Sequence, residues 1–154
     1  LFICENNTYS THSPLSVRQP PSPIYERVRT PELPAIQIDG NDAAGIYETV
    51  SDLIPGVRQG EGPVFVECLT YRIREHVGPL YDYDRGYRSR EEVESWIKRC
   101  PLKRMETSLG DQGILTPEDA ALLRRDFQAQ ADAAYAAALK SDWPAGEDLR
   151  QNIY

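Results

Sequence analysis

From Phe2 to Leu69 short apolar runs alternate with polar or helical stretches, and beyond Ser89 only helical periodicity remains. Phe2-Ile3-Cys4 predicts the end of a buried strand. Pro14, Pro20, Pro21 and Pro23 follow in a loop that predicts neither ladder nor helix interior, because proline lacks the N–H and fixes its own φ. Ile24 to Val28 predicts a short helix and Ala35 to Asp39 a second strand, leaving through the turn Asp39-Gly40-Asn41-Asp42. Ile46, Val50, Leu53 and Ile54 recur at helical spacing, with Pro55-Gly56 as the expected stop. Pro63 to Leu69 predicts a third strand, apolar nearly throughout, as in a parallel sheet covered on both faces.

A long polar stretch, Thr70 to Arg88, separates that strand from the helices; such loops in compact domains usually carry function or are disordered. Ser89-Arg90-Glu91-Glu92 has the form of a capping box, opening a helix with Val93, Trp96 and Ile97 on one face. Thr116-Pro117-Glu118-Asp119 opens another, where Leu123, Phe127, Ala131, Tyr135 and Leu139 form a stripe down an alanine-rich helix. Gly45 and Pro55 are poor choices inside the helix that they occupy. The pattern predicts an α/β fold over 1–88 and a helical region over 89–154.

Composition narrows the picture only a little. The 154 residues suffice for one domain with its own core, and 40% hydrophobic with 27% charged residues is ordinary for a soluble chain. A net charge of −7 without a basic block argues against nucleic acid or an anionic membrane as the main partner. No apolar run is long enough to span a bilayer. Cys4, Cys68 and Cys100 form no C-x-x-C or Cys/His cluster, so reduced thiols in an intracellular, cytoplasmic protein are expected.

Two segments carry candidate chemistry. The first is Glu5-Asn6-Asn7-Thr8-Tyr9-Ser10, where an apolar strand delivers Asn-Asn-x-Tyr at its carboxyl end. The Asn7 side-chain oxygen and the Tyr9 carbonyl are neutral oxygen donors of the type that Mg²⁺ takes when it shares its shell with waters and phosphate oxygens. The same residues also read as an ordinary asparagine-rich turn. The second is Thr70-Tyr71-Arg72-Ile73-Arg74-Glu75-His76, directly after a strand end, where ligand sites of open α/β sheets collect. His76 is the right type for proton transfer near neutral pH, and Arg72 for clamping a phosphate or carboxylate. A surface histidine and a structural ion pair are the plainer readings.

In order along the chain stand Asn-Asn-x-Tyr, then Ile-Asp-Gly-Asn-Asp before a helix, Gly-Glu-Gly-Pro before a strand, Thr-Tyr-Arg with His, and Tyr-Arg-Ser-Arg-Glu-Glu-Val before a helix. This series closely resembles the alpha subunit of the thiamine diphosphate-dependent 2-oxo acid dehydrogenases, the first components of the pyruvate, branched-chain and acetoin dehydrogenase complexes. The resemblance runs from Phe2 into the closing tail, Asp148 to Tyr154. It implies the carboxyl-terminal part of a doubly wound thiamine diphosphate-binding fold, with the Gly-Asp-Gly half of the cofactor motif expected upstream.

Carried over by position, the resemblance implies that Asn7 and the Tyr9 carbonyl bind Mg²⁺ and that Ser10 lies against the diphosphate. It implies that His76 sits at the reacting end of the cofactor and that Arg72 holds the active-site loop. The implied activity is decarboxylation of a 2-oxo acid, or cleavage of acetoin, with the acyl group passed to a lipoyl-bearing acyltransferase. The implied partner is a beta subunit, which shares the cofactor. Glu75 and Val77 flank His76 where the family commonly has glycine and serine, so the phosphorylation switch of mitochondrial members is absent at Val77. Residues Gly78 to Asp84 also depart from the pyruvate and branched-chain loops. The other reading is a non-catalytic subunit or fragment that acts only as an interaction partner of a beta-type subunit.

Overall fold

The computed structural model describes residues 1–151; the last three positions of the tail that carries the resemblance lie outside the described residues. The chain divides into two compact units, Leu1–Ser108 and Leu109–Tyr154. The first contains strands β1 (Phe2–Asn6), β2 (Tyr9–Ser10), β3 (Ser13–Pro14), β4 (Ala35–Asp39) and β5 (Phe65–Leu69). Its helices are α1 (Leu15–Arg18), α2 (Ile24–Val28), α3 (Ala43–Arg58), α4 (Arg90–Lys98) and most of α5 (Pro101–Asp111).

The main sheet is parallel, in the order β1-β5-β4. Its register places Asn6 and Asp39 beside Leu69, so all three strands end at one level. The chain therefore leaves the sheet through three neighbouring exits: the Asn7 turn, the Asp39 turn and the Thr70 loop. Helix α2 packs on β4 and β5, and α3 on β4. β5 is buried on both faces, as its apolar pattern predicts, with Val66 and Cys68 in the core. The three cysteines are free thiols, and burial raises the pKa of Cys4 and Cys68.

Several expectations need correction. β1 is an edge strand, and Phe2 (57%) and Ile3 (50%) are exposed rather than buried. The proline-rich stretch is not wholly irregular, because Pro14 takes part in the β2–β3 ladder and a single helical turn follows. Pro14 is tolerated because Leu15 N–H donates to the Thr8 carbonyl (2.6 Å). That bond makes Tyr9–Pro14 a pair whose own N–H and C=O positions point away from the opposite strand. Helix α3 runs through Pro55 to Arg58. Gly45 has a local reason: its N–H donates to the capping Asp42 carboxylate (3.1 Å), and a Cβ there would lie 3.2 Å from that carboxylate. Helix α5 follows α4 after a short break, and only its opening Pro101 advertises it.

In the second unit, α6 (Pro117–Lys140) starts at the expected cap, with Thr116 and Asp119 exchanging both hydrogen bonds of a capping box. Its apolar stripe is largely uncovered: Phe127, Tyr135 and Leu139 are each more than half exposed.

Candidate functional site

At the end of β1 two asparagines make successive side-chain-to-backbone turns. Asn6 Oδ1 accepts from Thr8 N–H and Asn7 Oδ1 from Tyr9 N–H, both at 2.9 Å. Thr8, which both turns include, has φ 64 and Thr11, at the hairpin tip, φ 54. Left-handed backbone is unfavourable for a β-branched residue, and it persists only where surrounding contacts hold it. The Tyr9 N–H and carbonyl face away from β3, the side on which Asn7 Oδ1 also lies. Asn7 is half-buried and Ser10 exposed. The turn reading and the oxygen-donor reading of these residues describe one geometry, since an amide oxygen has two lone pairs and the turn uses one.

Beneath the turn lies a group that the apolar pattern concealed. Glu67, in the middle of β5, is fully buried. Its Oε1 accepts from Asn6 Nδ2 (2.6 Å), and its Oε2 from Tyr25 N–H (3.0 Å) and Gln37 Nε2 (3.1 Å). The carboxylate thus caps α2, whose own N-cap residue, Pro23, offers no side-chain acceptor. A charged residue in an otherwise apolar parallel strand was the one available signal. A cleft of about 460 Å³ opens beside this group, lined by Asn6, Tyr9, Leu15, Pro23 and Gln37 among others.

The third exit carries Tyr71, Arg72 and the long loop. Tyr9 points at α4, its hydroxyl donating to both oxygens of Glu92 (2.8 and 3.0 Å). Ser89 caps α4 through Glu92 N–H (3.1 Å), but the Glu92 carboxylate goes to Tyr9 rather than completing the box. The Tyr9 ring meets Tyr71 and Tyr87 edge-on, and Tyr71 stacks on Trp96 at 5.1 Å. Burial raises the Tyr9 pKa, with Glu92 adding to the shift. Burial also pushes the Tyr71 hydroxyl up to about 12 against the opposing charge of Arg88.

Arg72 donates to the Thr11 carbonyl (2.6 Å) and the Tyr87 hydroxyl (3.2 Å), linking the third exit to the hairpin. The same hairpin carries His12, whose ring lies 4.8 Å from that of Tyr87, a neighbour that sequence spacing did not single out. Arg88 and Asp82 form a buried ion pair. Arg88 also donates to the Arg72, Ile73 and Arg74 carbonyls, and Tyr87 to Asp82. The Asp82 carboxyl is held below its ordinary range: burial raises it, but Tyr87 and Arg88 outweigh that. Asn41 ties the second exit in, accepting from Thr70 Oγ1 (2.8 Å) and donating to the Arg99 carbonyl (2.9 Å).

The structure therefore brings Asn7, Tyr9 and Arg72 into one cluster. His76 is exposed further along the loop. Its neighbour Glu75 turns to Arg85 (3.3 Å). Among the described residues no group of His, Cys, Asp and Glu side chains is arranged to hold a metal ion, and no helix is long and apolar enough to cross a membrane.

Comparison with known proteins identifies the family. The sequence model of the dehydrogenase E1 component family matches residues 1–145. The chain belongs to that family. It is 30% identical to the 2-oxoisovalerate dehydrogenase subunit alpha of Bacillus subtilis, over its whole length and 46% of that protein. It is 27% identical to the pyruvate dehydrogenase E1 component subunit alpha of Porphyra purpurea, again over its whole length and 44% of that protein. A 114-residue match at 32% identity, covering 74% of the chain and 30% of the relative, joins it to the 3-methyl-2-oxobutanoate dehydrogenase subunit alpha of Mycobacterium tuberculosis. The chain thus spans less than half the length of these relatives.

Proposed function

We propose that the chain is the carboxyl-terminal part of the alpha subunit of a thiamine diphosphate-dependent 2-oxo acid dehydrogenase, working with a beta subunit and passing an acyl group to a lipoyl-bearing acyltransferase. In this reading residues 1–88 belong to a doubly wound cofactor-binding domain and 89–154 to its helical region. The observation that carries it is the Asn7–Tyr9 turn, which sets an amide oxygen and a backbone carbonyl on one side, away from β3, at the carboxyl end of a parallel sheet.

Those residues fit the implied groups. Both donors are neutral, so they add ligands for Mg²⁺ without placing negative charge beside a diphosphate. Thiamine diphosphate, when bound, supplies the carbanion chemistry that makes decarboxylation of a 2-oxo acid feasible. The chain's own part is to orient and to shield. Asn7 and Tyr9 hold the metal end, with Ser10 beside the diphosphate. Arg72 fixes the hairpin against the third exit, and the aromatic cluster around Tyr9 and Tyr71 excludes water from that junction. His76 moves a proton at its imidazole when the loop brings it to the reacting end.

The test is reconstitution of the full-length subunit with its beta partner, followed by decarboxylation assays with pyruvate, branched-chain 2-oxo acids and acetoin. Turnover that requires both thiamine diphosphate and Mg²⁺ is expected. No turnover on any of them, with no cofactor binding by calorimetry, rejects the reading.

A further inference from the structure

Glu67 is buried without a cationic partner among the described residues; three neutral donors surround it. A carboxylate oxygen can only accept. One oxygen faces the Asn6 amide alone and the other takes the two remaining donors. The Asn6 amide consequently has one workable orientation: its NH₂ meets Glu67, and its oxygen meets Thr8 N–H. Were the group facing Asn6 a donor, Asn6 would have to turn over, bringing its NH₂ against Thr8 N–H. Thr8 holds its left-handed φ with that bond, and Asn7 is the residue between.

We propose that Glu67 is a positioning residue for the cofactor turn. Its acceptor-only carboxylate sets the polarity of the Asn6 amide, which locks the Thr8 backbone and so presents the Asn7 oxygen and the Tyr9 carbonyl. This rests on the assignment of Asn7 and Tyr9 as the metal and diphosphate turn. Outer groups that orient a ligand typically change metal affinity by about 10–100-fold when altered.

The pattern of bonds supplies its own control. Glu67→Gln keeps the shape but turns one end into a donor. Asn6→Asp alone sets two carboxylates against each other. Together the two substitutions restore every match: the carboxylate at position 6 accepts from Thr8 N–H and from the new amide, whose oxygen still receives Tyr25 and Gln37. Net charge is unchanged.

The experiment uses the full-length subunit assembled with its beta partner. Two quantities are measured: hydrogen exchange of the Thr8 amide without cofactor, and thiamine diphosphate affinity titrated at several Mg²⁺ concentrations. Each single variant should speed Thr8 exchange and weaken Mg²⁺-supported binding by about 10–100-fold, and the double variant should recover both. If Glu67→Gln fails to fold, recovery in the double variant supports the relay and failure of both overturns it. Unchanged Thr8 exchange in Glu67→Gln, or a double variant no better than the singles, also overturns it. A wild-type complex that binds no thiamine diphosphate, with Thr8 exchange still following the swap, rejects the cofactor assignment and leaves the relay standing.

Discussion

In the proposed site Asn7 does two things with one oxygen, accepting from Tyr9 N–H and donating to a metal, and substitutions separate them. Asn7→Ala removes the acceptor for Tyr9 N–H and the donor for a metal together. Asn7→Asp keeps the turn but adds a charge beside the diphosphate. Both should weaken thiamine diphosphate binding at fixed Mg²⁺, measured by calorimetry on the full-length complex. Only Asn7→Ala should also speed Tyr9 amide exchange. Equal affinity in all three proteins would remove Asn7 from the site. His76→Ala should leave that affinity nearly unchanged and lower turnover by the ~10²–10⁴-fold typical of a lost acid–base group; full acyl transfer would show the loop histidine to be a bystander. Asn7 and His76 are candidates because short motifs point to them. Glu67 was not legible, because Phe65-Val66-Glu67-Cys68-Leu69 reads as a buried strand with one outlier, and its partners come from three other elements.

Among the elements, the regular ones were readable and the irregular ones only partly. β4, α2, α4 and the start of α6 follow from periodicity and capping residues, whereas the β2–β3 hairpin depends on two left-handed threonines that propensity disfavours. The loop after β5 has the length and polarity of a functional or disordered segment, yet Asp82 and Arg88 staple it by a buried pair, with Arg88 also donating to three backbone carbonyls. Arg88→Met removes the cation and its fork of donors, leaving Asp82 buried and unpaired, and should destabilise the fold by about 3–5 kcal/mol; denaturant unfolding measures it. The pH dependence has a definite sign. Asp82 is depressed on folding, so its contribution is complete above the ordinary aspartate value of about 3.9. It is lost as pH falls through the still lower folded value. Proteolysis of the loop should therefore rise only in acid below about pH 4. In Asp82→Asn it should be high already at neutral pH and respond less to acid. A wild-type loop cut equally at pH 7 and pH 3 would contradict this.

At the scale of the whole molecule, the sheet is what limits the chain on its own. β1 is an edge strand with Phe2 and Ile3 exposed on opposite faces, and an apolar edge is a template for pairing with another copy. The nearly continuous apolar run from Pro63 to Leu69 indicated a parallel sheet covered on both faces, but not where coverage stops. Coverage of β1 depends on residues distant in sequence, and the relatives are more than twice as long. The donors at Asn7 and Tyr9 are neutral, with no carboxylate cluster among the described residues to hold a cation. We therefore expect the 154-residue chain, produced alone, to self-associate and to bind no thiamine diphosphate. Sedimentation across a concentration series should show growing assemblies, and Ile3→Lys should shift them toward monomer by placing a charge on the edge. A monodisperse monomer with micromolar cofactor affinity, about −8 kcal/mol, would mean that β1 is adequately covered as it stands and that the turn needs no further ligands.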